Sequence, residues 1–338
     1  MLKDLIRLNN FLKYQKKIKR IFFFENSFVE SHLAPYVYKN KIKNDTAIIS
    51  FYKIKNSKLK EYKIFQVKSI FFLNVFFLLL KTKYCYSTTP DINYTAFKRS
   101  VFKKTKYIYI QHSPLGLTKI YRNNAFTEFD VVQVVNSFQE NDLININKNK
   151  NKNIKIWRGQ YLFMNKSNLN LINKKNFKKK ILIAPTWGTS FFDDKTHIII
   201  RNNLDNKKYE VFIRPHAMSI SKKNISINDL FKENFIIMDG KINFSEYDVL
   251  ITDWSGIYIE FAKFNLIKSV LIQNNEKILN KEFNNFENKP IDFVARNALG
   301  EIVKLDDIKK IKNVIENILK NKDNYKKEIN NFFERHFY

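Results

Sequence analysis

Cysteine is all but missing from this chain: Cys85 stands alone in 338 residues. One thiol excludes an internal disulfide framework and a cysteine-built metal cluster, and such usage fits a reducing cytoplasm. Histidine is sparse too, five residues scattered along the sequence. No Asp-x-Asp pair or histidine–carboxylate cage stands out, so no protein-held metal is expected. Long apolar runs are lacking. The most apolar window, Ile70–Leu80, contains Asn74 and falls well short of the roughly 20 residues a membrane span needs, so a buried helix is the better reading. Met1–Arg20 carries Leu and Ile at helical intervals among Lys and Arg but has no apolar core, which excludes a secretory signal. No tandem repeat of short period is found. These gaps point to a soluble protein able to rest on a membrane face.

What is present is a core and positive charge. Hydrophobic residues make up 44%, which argues against global disorder, and the length suits two domains of ordinary size. Lys and Arg number 60 against 32 Asp and Glu, a net charge of +28. Such an excess favours polyanions: nucleic acid, an acidic membrane surface or a phosphate-rich substrate. Part of it follows from a Lys-, Asn-, Ile- and Phe-rich composition of the kind an AT-rich genome produces. Lys is spread along the chain and no helix-turn-helix, RRM or zinc module is recognisable, so a basic nucleic-acid-binding protein is the minor alternative.

Short apolar runs mark the strands. In the first half they are Arg20–Glu25, Thr46–Tyr52, Lys63–Val67, Lys106–Gln111, Phe129–Val135 and Ile154–Gly159. In the second they are Ile181–Ala184, Glu210–Ile213, Phe235–Met238, Asp248–Ile251 and Ser269–Ile272. Strands alternating with helices at this spacing predict parallel sheets flanked by helices. Asn145–Asn153 reads as an exposed low-complexity loop. The expected division is an N-terminal α/β domain over 1–165, a polar linker over 166–180, a second α/β domain over 181–320 and a C-terminal helix over 321–338. Asp307–Leu319 is strongly amphipathic.

Polar clusters follow four of the strands: Gln111-His112-Ser113-Pro114, Pro185-Thr186-Trp187-Gly188, Arg214-Pro215-His216 and Asp253-Trp254-Ser255-Gly256. In open parallel sheets ligands bind outside the carboxyl ends of the strands. The last cluster sits between the apolar run Val249–Ile251 and a helical segment from Ile257. A strand, a tight polar turn and a helix aim backbone N–H groups and a positive helix end at an anion, unless Ser255 merely caps the helix.

These residues carry a resemblance. Asp248-Val-Leu-Ile-Thr-Asp-Trp-Ser-Gly resembles the D-x-L-I-T-D-Y-S-S signature of the CDP-glycerol glycerophosphotransferase family, which makes teichoic-acid and related capsular polymers. Ile183-Ala-Pro-Thr-Trp-Gly is similar to its A-P-T-W element, Val211-Phe-Ile-Arg-Pro-His to its R-x-H segment, and Gln111-His-Ser-Pro-Leu to its Q-H-G element. Gly300-Glu-Ile-Val also fits, and order and spacing hold from about residue 100 to 320. Gln111 stands for Trp, Ser113 for Gly, and Gly256 for the second Ser of the signature; Pro215 precedes His216 where the family more often has Pro after it.

The resemblance implies a GT-B-like pair of Rossmann-like domains facing a cleft, with a CDP-linked donor held mainly by the second. An acceptor hydroxyl of a surface glycan or capsule polymer would attack the donor's β-phosphorus, and CMP would leave. His112 is the expected base, and His216 a donor to the phosphate or leaving group. Arg214, Ser255 and Gly256 would hold the diphosphate, with Thr186, Trp187, Asp253 and Arg296 as further donor-site candidates. His32, His197 and His336 are assigned to structure or solvent. No cofactor is expected beyond a divalent ion riding on the diphosphate. The same scaffold serves nucleotide-sugar glycosyltransferases, which is the alternative. The basic N-terminal helix, docking on acidic lipid, would place the protein at the cytoplasmic face of a membrane, near a polyanionic or lipid-linked acceptor.

Overall fold

The computed structural model describes residues 2–39, 43–94, 96–164, 178–221, 225–238, 242–286 and 289–338. The chain forms two compact units. The first comprises Met1–Lys166 with Asn280–Asn288 and Tyr338; the second comprises Ser167–Leu279 and Lys289–Phe337.

In the first unit, helix α1 (Leu2–Tyr14) precedes β1 (Arg20–Phe24), α2 (Ser27–Lys39), β2 (Thr46–Ser50) and β3 (Lys63–Gln66). Then come α3 (Ile70–Leu78), β4 (Tyr84–Ser87), β5 (Lys106–Tyr109), β6 (Val131–Val134), α4 (Ser137–Lys150) and β7 (Lys155–Arg158). All seven strands are parallel, in the order β3-β2-β1-β4-β5-β6-β7. A strand buried on both faces feeds two cores, because successive side chains point to opposite sides. Along β1, Ile21 and Phe23 enter one apolar cluster with Phe76, Phe77 and Phe97. Phe22 and Phe24 enter the other with Leu33, Ile48 and Ile108.

The second unit runs β8 (Lys179–Ile183), α5 (Thr196–Asn202), β9 (Tyr209–Ile213), α6 (Ala217–Ser221), α7 (Ile227–Lys232) and β10 (Ile236–Ile237). It continues with β11 (Val249–Thr252), α8 (Ile257–Asn265), β12 (Ser269–Gln273), α9 (Ile291–Leu299), β13 (Gly300–Lys304), α10 (Ile311–Lys320) and α11 (Lys322–His336). Its parallel sheet is ordered β10-β9-β8-β11-β12-β13. Gly300 is required where β13 passes β12: a Cβ there would lie 2.3 Å from the Leu271 side chain. Both sheets start in the middle, wind outward, and reverse, at β1/β4 in one and β8/β11 in the other. That reversal opens the crevice in which doubly wound folds bind ligands.

Several expectations need correction. Residues 145–150 are the last turns of α4, not a loop. Asn136 accepts the Gln139 N–H at its start (2.9 Å), Leu143 and Ile146 are buried, and Asn151 ends the helix in the left-handed conformation at φ 47°. Strand β8 begins at Lys179, inside the expected linker, whose residues 166–177 lie outside the described ones. Asn280–Asn288, expected in the second domain, belongs with the first unit. There Asn280 bonds the Thr118 carbonyl (2.7 Å), and Glu282 pairs with Lys150 (2.7 Å) and Asn123. Helix α3 is buried along one side only, with Ile70 and Phe71 left exposed.

Candidate functional site

In the second unit, four neighbouring strands end side by side, and the residues after them make the site. Thr186 and Trp187 follow β8, Arg214 and His216 follow β9, Asp253–Gly256 follow β11, and Asn274 and Lys277 follow β12. Asp253 ties these ends together. Its carboxylate, fully buried, accepts from the Thr186 N–H (2.8 Å), the Thr189 hydroxyl (2.7 Å) and the Asn274 amide (3.2 Å). Burial raises its pKa, and these donors counteract the rise.

Arg296, also buried, donates from Nη1 to the Asp253 carbonyl (2.6 Å) and from Nη2 to the Ile272 carbonyl (3.3 Å). Its guanidinium lies 4.1 Å from the centroid of the Trp254 ring. Asp253 and Arg296 were expected to touch a donor. Both side chains are buried and bonded within the protein, where they join the loops.

Around this crevice the side chains are cationic or aromatic: His216 is exposed, Trp187 and Arg214 are half-buried, and Lys277 is buried. Lys277 Nζ sits 3.5 Å from the centroid of the Trp187 ring, a cation–π contact. The His216 ring is 6.3 Å from Trp187. His216 Nδ1 accepts the Met218 N–H (3.1 Å), so a neutral ring carries its proton on Nε2 and presents a donor. Desolvation, then the charges of Lys277 and Arg214, hold this imidazole below the usual histidine range. The ring is open to solvent, which weakens the desolvation part and leaves the two cations as the cause that persists. Ser255 and Gly256 are half-buried. Helix α8 begins at Gly256 with no side chain capping it among the described residues, so Ser255 does not cap the helix. Gly256 has φ −65°, open to any residue.

His112 belongs to the first unit, just beyond β5. Tyr109 Oη lies 2.9 Å from its Nδ1 and Tyr121 Oη 3.5 Å from its Nε2. The Tyr161 hydroxyl donates to its carbonyl (2.9 Å). Burial pushes the imidazole down to about 4, against a hydrogen bond with the Thr88 backbone, so the ring is neutral near pH 7 and able to accept a proton. His32, assigned to structure, is buried with Nδ1 3.1 Å from Tyr161 Oη, its ring centroid 6.4 Å from that of His112. At the β1/β4 reversal Thr89 donates to Glu25 (2.8 Å).

Sequence reasoning passed over Lys277 and Glu25. Glu25 could have been found, since it ends the apolar run Ile21–Phe24 as His112 ends its own. Lys277 could not, because three residues separate it from β12 and it looks like any of the chain's many lysines.

No family model matches the chain, and no curated protein sequence matches it. Solved structures do. UDP-GlcNAc 2-epimerase from Neisseria meningitidis, bound to UDP-GlcNAc, superposes with a TM-score of 0.53 at 11% identity, covering 93% of this chain and 94% of that one. The S. aureus MnaA–UDP co-structure gives 0.57 at 11%, over 92% and 90%. α,α-Trehalose 6-phosphate synthase from Burkholderia multivorans gives 0.53 at 8%, over 94% and 93%. This is a two-domain Rossmann-like α/β fold of the GT-B type. At such identities the likeness is one of fold.

Proposed function

We propose that the chain is a transferase that holds a nucleoside-diphosphate-linked donor in its second unit and passes the donor's group to an acceptor hydroxyl. The observation that carries this reading is the gathering of Trp187, Arg214, His216 and Lys277 beside the uncapped start of α8, all at the carboxyl ends of adjacent strands. Cations, a neutral Nε2–H donor and free helix N–H groups together form a receptor for a diphosphate. Trp187 offers a ring face to a base or sugar.

The reading with most support is glycosyl transfer from a nucleotide sugar, since solved structures of similar fold carry UDP-GlcNAc and UDP. The acceptor oxygen bonds to the sugar's anomeric carbon, the bond from that carbon to the diphosphate oxygen breaks, and His112 takes the acceptor's proton. The nucleoside diphosphate leaves with its charge held by His216, Lys277 and Arg214. A second reading is favoured by the Asp248–Gly256 turn and its likeness to the CDP-glycerol enzymes: the acceptor oxygen attacks the β-phosphorus, the diphosphate bridge breaks, and CMP leaves carrying the bridging oxygen. Either reaction suits a polyanionic or lipid-linked acceptor at the cytoplasmic face of a membrane. Among the described residues no helix is long and apolar enough to cross one.

Thermal-shift measurements with UDP-, GDP- and CDP-linked donors, followed by identification of the released nucleotide, test both readings. A released diphosphate supports the first and CMP the second. Indifference of the protein to every nucleotide would overturn both.

A further inference from the structure

Past β5, residues 111–118 form neither helix nor strand, yet the loop is buried except at His112 and Ser113, which reach part-way into solvent. An irregular loop cut off from water has backbone N–H and carbonyl groups with no ladder to join, and each needs a partner. One segment supplies them. The Gln133 side chain accepts the Gln111 N–H (3.1 Å), and the Gln133 carbonyl accepts from Gln111 Nε2 (2.8 Å). Asn136 Nδ2 donates to the Pro114 carbonyl (2.9 Å). Gln139 Nε2 donates to the Ser113 and Leu115 carbonyls (3.1 and 2.7 Å), while its Oε1 accepts the Val135 N–H (3.0 Å). Asp142 accepts the Leu117 N–H (2.7 Å).

These four side chains are buried, Asp142 at 1% exposure and the others at 0%. Two of them lie on α4, whose buried residues are Gln139, Asp142, Leu143 and Ile146, one face by helical spacing. Apolar residues at 139 and 142 would cover the core as Leu143 and Ile146 do, without the cost of taking polar groups out of water. What the polar ones add is a fixed loop. Asn136 acts twice, since its Oδ1 also accepts the Gln139 N–H (2.9 Å) at the start of α4. A satisfied buried network rigidifies its surroundings, and the part of the loop it leaves in reach of solvent is His112 with Ser113.

We propose, on the reading of His112 as the base, that Gln133, Asn136, Gln139 and Asp142 are positioning residues. They hold the backbone on which His112 stands, so that its imidazole meets the acceptor hydroxyl in one place. Proton transfer needs the base within hydrogen-bond reach of that hydroxyl, and a displacement of about 1 Å costs about 100-fold in rate. Tyr109, Tyr121 and Tyr161 hold the ring and carbonyl of His112 directly. The four buried side chains fix the loop before and after it.

Two variants remove donors and keep shape. Gln139→Met deletes the bonds to Ser113 and Leu115; Asn136→Asp deletes the bond to Pro114 and keeps an acceptor to cap α4. Ile146→Val, on the same face of α4 but with no polar bond to the loop, is the control for lost stability alone. Turnover is measured with UDP-GlcNAc or CDP-glycerol as donor, and the histidine titrations by NMR with carbon-labelled histidine, His112→Ala assigning the signal. In both variants kcat should fall about 100-fold at unchanged donor KM. The His112 titration should rise from about 4 toward 6.5 as water reaches the ring. Ile146→Val should move neither. If Gln139→Met fails to fold, Asn136→Asp decides. Wild-type kcat in both variants beside an inactive His112→Ala would overturn the positioning role alone, as would an Ile146→Val that loses as much kcat. A fully active His112→Ala would overturn the base reading, and the positioning role with it. Should the protein turn over neither donor, the titration decides, and a His112 signal unmoved in both variants overturns the role.

Discussion

The two units wind their sheets in one order, and the residues beyond their strand ends differ in kind. In the second unit the reversal at β8/β11 is closed by a buried carboxylate, Asp253, whose three accepted hydrogen bonds and backbone bond to Arg296 fix the surrounding loops. What those loops present is cationic: Lys277, Arg214 and His216 around Trp187. In the first unit the corresponding reversal pairs Glu25 with Thr89, and one strand further on His112 is held by tyrosines as a neutral imidazole. One backbone solution thus gathers cations around a tryptophan in one unit and holds a neutral imidazole among tyrosines in the other. The difference lies in the residue placed just past each strand, not in the strands themselves.

The contrast can be broken most decisively at His112. His112→Ala should lower turnover by about 100-fold or more while nucleotide affinity, read by calorimetry, stays unchanged; turnover at the wild-type rate would end the assignment. Asp253→Ala should act on the other unit through stability. It strands three donors in the interior and should cost about 3 kcal/mol, visible in urea denaturation.

Lys277→Ala should leave stability nearly intact and weaken nucleoside-diphosphate binding by about tenfold, the worth of one hydrogen bond to a charged group. Equal loss of affinity for the bare nucleoside would show that Lys277 acts through Trp187 rather than through phosphate.

Acid sharpens the comparison further. The free imidazoles titrate near 6.5, but burial pushes His112 and His197 down to about 4 in the folded protein. The folded state therefore resists protonation. Stability is fully present above pH 6.5 and declines as the pH falls from there toward 4. Melting temperatures should trace that decline, less steeply in His197→Phe, whose ring packs between Phe192 and Phe235. The base reading adds that kcat/KM should fall only as the pH nears about 4, not at 6.5. The smallest effect is expected from Gly256→Ser at the start of α8, a change of a few tenths of a kcal/mol in stability.

Much of the fold could be read from apolar runs bounded by polar residues, and the four polar clusters do stand at strand ends. The misses share a cause. β4 is a tyrosine-rich strand of half-buried and buried residues in alternation, and β13 buries only Gly300 and Val303. Neither forms the continuous apolar run that betrays a strand buried on both faces. Polar residues 145–150 continue a helix because Leu143 and Ile146 anchor it, a fact of packing rather than of composition. Ile70 and Phe71 looked like core by hydropathy alone.

The sequence by itself determined the secondary structure of most strands, the doubly wound α/β class, the placement of His112, His216 and Ser255 just beyond strands, and the basic character of the molecule. Those depend on local patterning, which a linear chain displays in full. Folding in three dimensions settles that Asp253 and Arg296 are buried and join the loops around them, that Lys277 covers Trp187, and that Ile70 and Phe71 stay exposed at the start of α3. Each of these turns on which side chains, distant in sequence, become neighbours and whether water still reaches them, and burial and partnership do not exist until the sheets have formed.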